Sequence, residues 1–381
     1  MKATQLPLTN LLATPEAFGL PAGMLVRMDG APDYRHLAYL DIMSAQTAAS
    51  LPEAVLEADG SAAIYLSSDA SLLSDTMRLA ALRETLACRG DARYLGVAQP
   101  GVLHVFPLGF YGEKAPGYIK QISLQPGGEL HDFLAGLSED EEPVTAEKTW
   151  LDGYLLDLLR STARRLKKTN ALSDGQVLSL VGRGLFARFI VDRGIVRESD
   201  ARSISPHATS LEALFDTPEA AADSCAWLDA TFNGNLLPLL DDDAHSAPAY
   251  REFFAALDET ARRIVCLELG NVMRRAAHGQ LPMDWQRIQF DHVPADTLSQ
   301  VYEHFAHYYW REFAAATSIH YTPRRIAQIL VDSAFAGLRI PDPSRARILD
   351  PAVGAGIFLV LAFKRLVRER WRLTGDRKSV V

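Results

Sequence analysis

Residues whose types and spacing suit ligand binding concentrate near the C-terminus, in Arg347-Ile-Leu-Asp-Pro-Ala-Val-Gly-Ala-Gly-Ile-Phe-Leu-Val360. Ile348 and Leu349 predict a short buried strand, and Gly354 and Gly356 predict a sharp turn. The apolar run that follows predicts a helix continuing toward Arg368. Glycines at such a turn permit backbone conformations closed to other residues and let a ligand approach the main chain. Strand, glycine turn and helix, in that order, are how a doubly wound sheet offers the end of its first strand to a nucleotide-like molecule. A dinucleotide loop needs a third glycine three residues after the second. Leu359 occupies that place, so the spacing disfavours NAD. Upstream lies His320-Tyr-Thr-Pro-Arg-Arg-Ile-Ala-Gln-Ile-Leu-Val331. Thr322 is positioned to cap a helix whose first residue is Pro323, with Ile326, Ile329 and Leu330 on its inward face.

Asp350-Pro-Ala-Val-Gly-Ala-Gly356 resembles the S-adenosylmethionine loop of the adenine-N6 DNA methyltransferases, written Asp-Pro-(Ala/Ser)-Cys-Gly-(Ser/Thr)-Gly. Val353 and Ala355 depart from that pattern without touching its glycines. In the same family a (Tyr/Phe)-Thr-Pro segment precedes the loop by a similar separation and packs over the methionine end of the cofactor. Tyr321-Thr-Pro323 matches it. The resemblance implies a class I, Rossmann-like methyltransferase domain that uses S-adenosylmethionine. The implied cofactor contacts are His320, Tyr321, Thr322, Pro323, Asp350, Pro351, Ala352, Gly354 and Gly356. The implied partners are double-stranded DNA and the specificity or restriction subunits of a restriction-modification or phage-defence system.

Methylating the amino group of adenine requires the base to leave the stack. The family then uses (Asn/Asp)-Pro-Pro-(Tyr/Phe), whose first side chain and proline carbonyl accept hydrogen bonds from the amino group while the aromatic ring stacks on the base. No such tetrapeptide occurs in these 381 residues, so no catalytic residue is assigned. The later strands of the catalytic sheet, the acidic residue for the ribose hydroxyls and the family's C-terminal recognition region also have no place. Asp376-Arg-Lys-Ser-Val-Val381 matches the translation of a widely used sequencing adapter, so a foreign tail after Gly375 is expected. The expectation is an inactive, C-terminally truncated methyltransferase, poorly ordered or aggregation-prone after about residue 315. Two other readings stay open: a non-catalytic DNA-binding or assembly subunit with a vestigial cofactor loop, and an unrelated Rossmann-type oxidoreductase.

The bulk properties are those of a water-soluble globular protein, with 48% hydrophobic and 23% charged residues. No apolar run reaches membrane-spanning length and the N-terminus has no secretory core, so a cytoplasmic location away from membranes is expected. Cys88, Cys225 and Cys266 match no metal or redox spacing and predict buried free thiols. A net charge of −8 excludes a uniformly nucleic-acid-coating protein while permitting a local basic groove.

The elements that carry these residues divide into an α/β domain (1–140), a helical domain (145–310) and the start of the methyltransferase domain (311–375). Strands are predicted at Ala62–Leu66, Ala92–Gly96 and Gly101–Pro107, with a helix over Ser71–Leu86. Asp33, Asp41, Glu57 and Asp59 lack the strand-borne Glu-x-Lys of a Mg²⁺ nuclease and predict a solvated acidic surface. An acidic run, Leu137–Pro143, predicts a linker. Helices are predicted over Trp150–Leu166, Gly175–Val191 with Ser173 as cap, Tyr250–Ala277 with a break near Gly270, and Leu298–Phe305. Arg183, Arg188, Asp192 and Arg193 predict ion pairs within the helical domain. The basic Arg164-Arg-Leu-Lys-Lys168 either complements a helix dipole or touches DNA phosphates.

Overall fold

The computed structural model describes residues 8–21, 23–44, 51–58, 60–112, 115–139, 149–232, 239–240, 246–276, 283–309, 322, 324–351, 353 and 356–375. In chain order the elements begin α1 (Thr9–Ala13), β1 (Leu25–Arg27), α2 (Leu40–Ser44), β2 (Ala54–Ala58), β3 (Ser61–Ser67) and α3 (Thr76–Ala87). Then come β4 (Tyr94–Gln99), β5 (Val102–Pro107), β6 (Lys120–Ser123) and α4 (Glu129–Glu139). The helical stretch comprises α5 (Leu151–Lys167), α6 (Asp174–Asp192), α7 (Ala201–Ile204), α8 (Pro218–Phe232), α9 (Ala247–Ala256), α10 (Glu259–Met273) and α11 (Ala295–Tyr309). Last are α12 (Arg324–Ala336) and α13 (Ile357–Thr374). This is a mixed α/β chain. It divides into two compact units: residues 1–151 with 294–296 and 320–381, and residues 152–293 with 297–319.

The first unit holds a six-stranded sheet whose spatial order follows the chain, β1 to β6. Neighbouring strands are antiparallel except β3 and β4, which run parallel. A parallel pair needs a long crossover, and α3 supplies it. The tight β4–β5 turn places Gly101 at φ +82°, a conformation glycine adopts without strain. Alternation along the strands puts Leu56, Ile64, Leu66, Leu103, Val105 and Ile122 on one face, covered by Leu11, Phe18, Leu130 and Leu134. Three predicted strands fall in β3, β4 and β5. The predicted helix over Ser71–Leu86 becomes a 3-10 turn followed by α3, because Asp75 caps a new start by accepting from the Arg78 amide at 3.0 Å. Strands β1, β2 and β6 were not anticipated: β1 has three residues, and Ala-Val-Leu-Glu-Ala of β2 has no clean period-two pattern.

Buried Arg89 joins the elements of this sheet unit. It pairs with Asp41 of α2, and with Asp91 at 2.8 Å, and donates to the Tyr65 hydroxyl at 2.7 Å. Glu57 accepts from the Tyr39 hydroxyl at 2.6 Å, and Asp33 accepts from the Arg35 amide to cap the 3-10 turn Tyr34–Tyr39. These acids are thus tied into ion pairs, a hydrogen bond and a cap, which corrects the expectation of a merely solvated surface. Asp59 lies outside the described residues. Among the described residues no His, Cys, Asp and Glu group is placed to hold a metal ion.

The second unit is helical. Ser173 begins α6 with a capping box, accepting from the Gln176 amide while the Gln176 side chain accepts from the Ser173 amide. Gly182 lies inside α6 because α11 comes close there: a Cβ at this position would sit 2.6 Å from the Tyr302 ring. The break expected near Gly270 lies instead at Leu257–Asp258, where Asp258 caps α10 by accepting from the Ala261 amide at 2.9 Å. Gly270 is interior to α10, since a Cβ there would meet Asp216 Oδ1 at 2.5 Å. The arginines of α6 are buried and paired as expected. Arg183 meets Asp229 at 2.7 Å and Arg188 meets Asp192 at 2.7 Å, while Arg275 closes on Asp192 from the other side at 2.7 Å.

All three cysteines are buried and free. Burial pushes the Cys225 and Cys266 thiols up to about 12. At pH 8 each is then thiolate in only about one molecule in ten thousand, and the thiolate is the reactive form. A disulfide-exchange reagent at pH 8 is expected to leave the native protein unlabelled and to titrate three thiols after denaturation. Rapid native labelling of Cys225 or Cys266 would contradict this burial. Because both values lie above the ordinary thiol value, the linked stability is intact below about pH 9 and is lost as the pH rises further.

Candidate functional site

The C-terminal part of the first unit is built on α12 and α13. Ala327, Val331 and Phe335 of α12 pack on Ile357, Leu361 and Ala362 of α13 in a small core of their own. Spacings of four place the three α12 residues on one stripe. Ile326, Ile329 and Leu330, expected on the inward face, are exposed instead, Ile329 at 65%. The contact selects the stripe with the smaller Ala327, which lets the two helices come together, and the bulkier stripe is left outside.

The expected strand at Ile348–Leu349 is not formed. Residues 346–350 have no regular secondary structure, and Leu349 is 87% exposed. A strand exists only by pairing its main chain with a neighbour. All six strands of the described sheet lie between Leu25 and Ser123, so this segment is outside it.

The glycine turn itself is present. Gly356 has φ +79° and ψ 16°, and its amide donates to the Val353 carbonyl at 2.7 Å. Its own carbonyl accepts the first helical bond of α13, from the Val360 amide at 2.9 Å. No side chain caps α13, and its first turn contains no acidic residue. The N–H groups at that end therefore have no side-chain acceptor supplied by the cap. Among the described residues, a Cβ built on Gly356 would meet only Val353 Cγ2, at 4.0 Å. Asp350 is half-buried, Pro351 is exposed and Thr322 is half-buried. The other expected contacts, His320, Tyr321, Pro323, Ala352 and Gly354, lie outside the described residues.

This arrangement suits a ligand with an anionic or polar group directed at the start of α13 and a body lying along the 350–356 backbone.

Charge near the site is uneven. Asp342 lies between Arg345 at 3.3 Å and Arg370 at 3.7 Å, and Glu369 lies between Arg365 and Arg372, each at 3.0 Å. The hydrogen bonds from Ser344, together with these two guanidiniums, hold the Asp342 carboxyl below its ordinary range. In the helical unit two of the four cations at the basic end of α5 are paired, Arg165 with Glu268 at 2.6 Å and Lys167 with Asp174. Arg164 and Lys168 are exposed.

Among the described residues no helix is long and apolar enough to cross a membrane. Neither a curated protein nor a solved structure matches the chain significantly. One family model does match, that of the N-6 DNA Methylase family, over residues 293–380. That interval contains both the Tyr-Thr-Pro segment and the glycine turn. Residues 293–380 of this chain are thus similar in sequence to the N-6 DNA Methylase family.

Proposed function

We propose that the chain is the cofactor-binding part of a DNA adenine-N6 methyltransferase that serves restriction-modification or phage defence and uses S-adenosylmethionine. The observation that carries this reading is the coincidence of the family match with an uncapped, glycine-initiated helix at Gly356. Asp350, Pro351, Ala352, Gly354 and Gly356 would form the loop along the cofactor, with His320, Tyr321, Thr322 and Pro323 over its methionine end. When bound, the cofactor supplies the electrophilic methyl group. The protein's part is to hold its carboxylate on the α13 amides and to keep the 350–356 main chain against it. In this reading residues 1–140 form an α/β domain, 145–310 a helical domain and 311–375 part of a Rossmann-like domain.

No (Asn/Asp)-Pro-Pro-(Tyr/Phe) occurs in the sequence, and this favours a second reading, a DNA-binding or assembly subunit that keeps the loop without the chemistry. Isothermal titration of the full chain tests both readings. S-adenosylmethionine and its demethylated product are expected to bind one to one and NAD not at all, while methyl transfer to duplex DNA stays at background. Binding of NAD in place of S-adenosylmethionine would overturn the proposal. Methyl transfer above background would remove the second reading.

A further inference from the structure

Six buried residues make up the core between α12 and α13, and the last α13 residue packed on it is the half-buried Leu366. Helices of 13 and 18 residues draw most of their stability from such packing. Beyond Leu366, α13 nevertheless contains buried Glu369 and Trp371, at 8% and 5% exposure, and neither belongs to that core. The turn Pro343–Arg345 and the 3-10 turn Tyr34–Tyr39 also pack on α13. The first lies on the connector between α12 and α13. The second lies between β1 and β2 of the sheet, within the same compact unit as α13.

Strands of the sheet and Arg89 hold the Tyr34–Tyr39 turn at both ends. At its start Asp33 accepts from the Arg35 amide at 2.8 Å. The His36 ring lies between the Asp33 amide at 2.9 Å and the Arg27 carbonyl of β1 at 2.6 Å. At its end the Tyr39 hydroxyl donates to Glu57 of β2 at 2.6 Å, and Arg89 donates to the Ala38 carbonyl at 2.6 Å. The Arg89 guanidinium also lies 5.5 Å from the centre of the Tyr39 ring. A 3-10 turn has poor hydrogen-bond geometry of its own, so these side chains keep its surface in place. Helix α13 is a rod about 27 Å long, and seating it on a fixed surface fixes where its first turn, beginning at Gly356, points. We propose that Tyr34–Tyr39 is the seat that positions α13, and that the N-terminal α/β domain thereby sets the ligand affinity of the loop at Gly356. The seat stands on packing alone; the identity of the ligand, S-adenosylmethionine, rests on the methyltransferase reading. Coupling is reciprocal, so a ligand at the start of α13 also steadies the seat.

The test is hydrogen exchange of the full chain, read peptide by peptide, for wild type and two variants. D33A/Y39F removes the cap of the turn and its bond to Glu57 while keeping the ring that packs edge-on to Tyr65. Exchange across 357–374 is expected to quicken about five- to thirtyfold, the effect of one cap and one hydrogen bond, with β3, β4 and β5 unchanged. L361A loosens α13 at its contact with α12 and is expected to quicken exchange across 34–39 while the sheet stays protected. If D33A/Y39F disturbs the strands, L361A decides. Saturating S-adenosylmethionine is expected to slow exchange at both 357–374 and 34–39. D33A/Y39F is expected to bind it about five- to thirtyfold more weakly. Unchanged exchange in α13 of D33A/Y39F with an intact sheet, or across 34–39 of L361A, overturns the seat. Wild-type affinity in D33A/Y39F beside faster α13 exchange overturns the claim on affinity. A wild-type chain that binds no S-adenosylmethionine removes the methyltransferase reading, and exchange in the unliganded variants then decides the seat alone.

Discussion

Replacing Arg183 by methionine is expected to destabilise the helical unit by about 3–5 kcal/mol, the range for removing one partner of a buried ion pair. The Arg183 side chain is 2% exposed and the facing Asp229 side chain 4%, with the charges 2.7 Å apart. The guanidinium also donates to the Cys225 carbonyl and the Tyr250 hydroxyl, both at 3.1 Å, and to Ser179 Oγ at 3.3 Å. Tyr250 in turn donates to Asp229. One side chain thus connects α6, α8 and α9. Methionine fills much of the volume but leaves a carboxylate in a water-poor interior without its counter-charge. If the cost comes from that stranded charge, removing it should restore stability. The triple variant R183M/D229L/Y250F, apolar throughout, is therefore expected to recover more than half of the loss. Urea unfolding followed by hydrogen exchange in α6 and α8 peptides reads this locally. A triple variant no more stable than R183M would mean that the packing shape of arginine, and not charge pairing, holds these helices together.

How much of this was legible beforehand depends on whether the cause is local. Capping is local, so Ser173 marked the start of α6, and the apolar spacing of Leu151, Leu155 and Leu158 marked α5. The three strands with continuous apolar runs, β3, β4 and β5, were visible for the same reason. Gly270 was misread because a glycine has two uses that look alike in sequence. It either breaks a helix or lets another group approach, and here the approaching group is Asp216. Only the fold reveals which. Ile326, Ile329 and Leu330 were misplaced because α12 carries two apolar stripes, and periodicity alone does not say which one finds a partner. Ile348–Leu349 has strand-like composition, but pairing depends on neighbours remote in sequence. The glycine turn at Gly356 was recognisable from residue identities at fixed offsets.

The largest effect on ligand binding is expected at Gly356, and the pattern among substitutions separates two reasons for a glycine there. The first reason is conformational. Gly356 sits at φ +79°, where an L-residue costs about 1–2 kcal/mol and a β-branched one more. The turn closed by its amide on the Val353 carbonyl, and with it the start of α13, depends on that conformation. On this account G356N, whose side chain tolerates the left-handed region, should weaken S-adenosylmethionine binding little, G356A by about tenfold, and G356V by about 30-fold or more. The second reason is space. Among the described residues, a Cβ at Gly356 meets nothing nearer than 4.0 Å, which leaves that side for a ligand. If the cofactor lies against this main chain, any side chain obstructs it, and G356N should bind as poorly as G356V. Titration of the three variants, with the start of α13 monitored by hydrogen exchange, distinguishes the accounts. A graded series with fraying of α13 assigns the glycine to the backbone turn. Equal losses with an intact helix assign it to contact with the cofactor. Wild-type affinity in all three would mean that the loop at Gly356 does not bind S-adenosylmethionine.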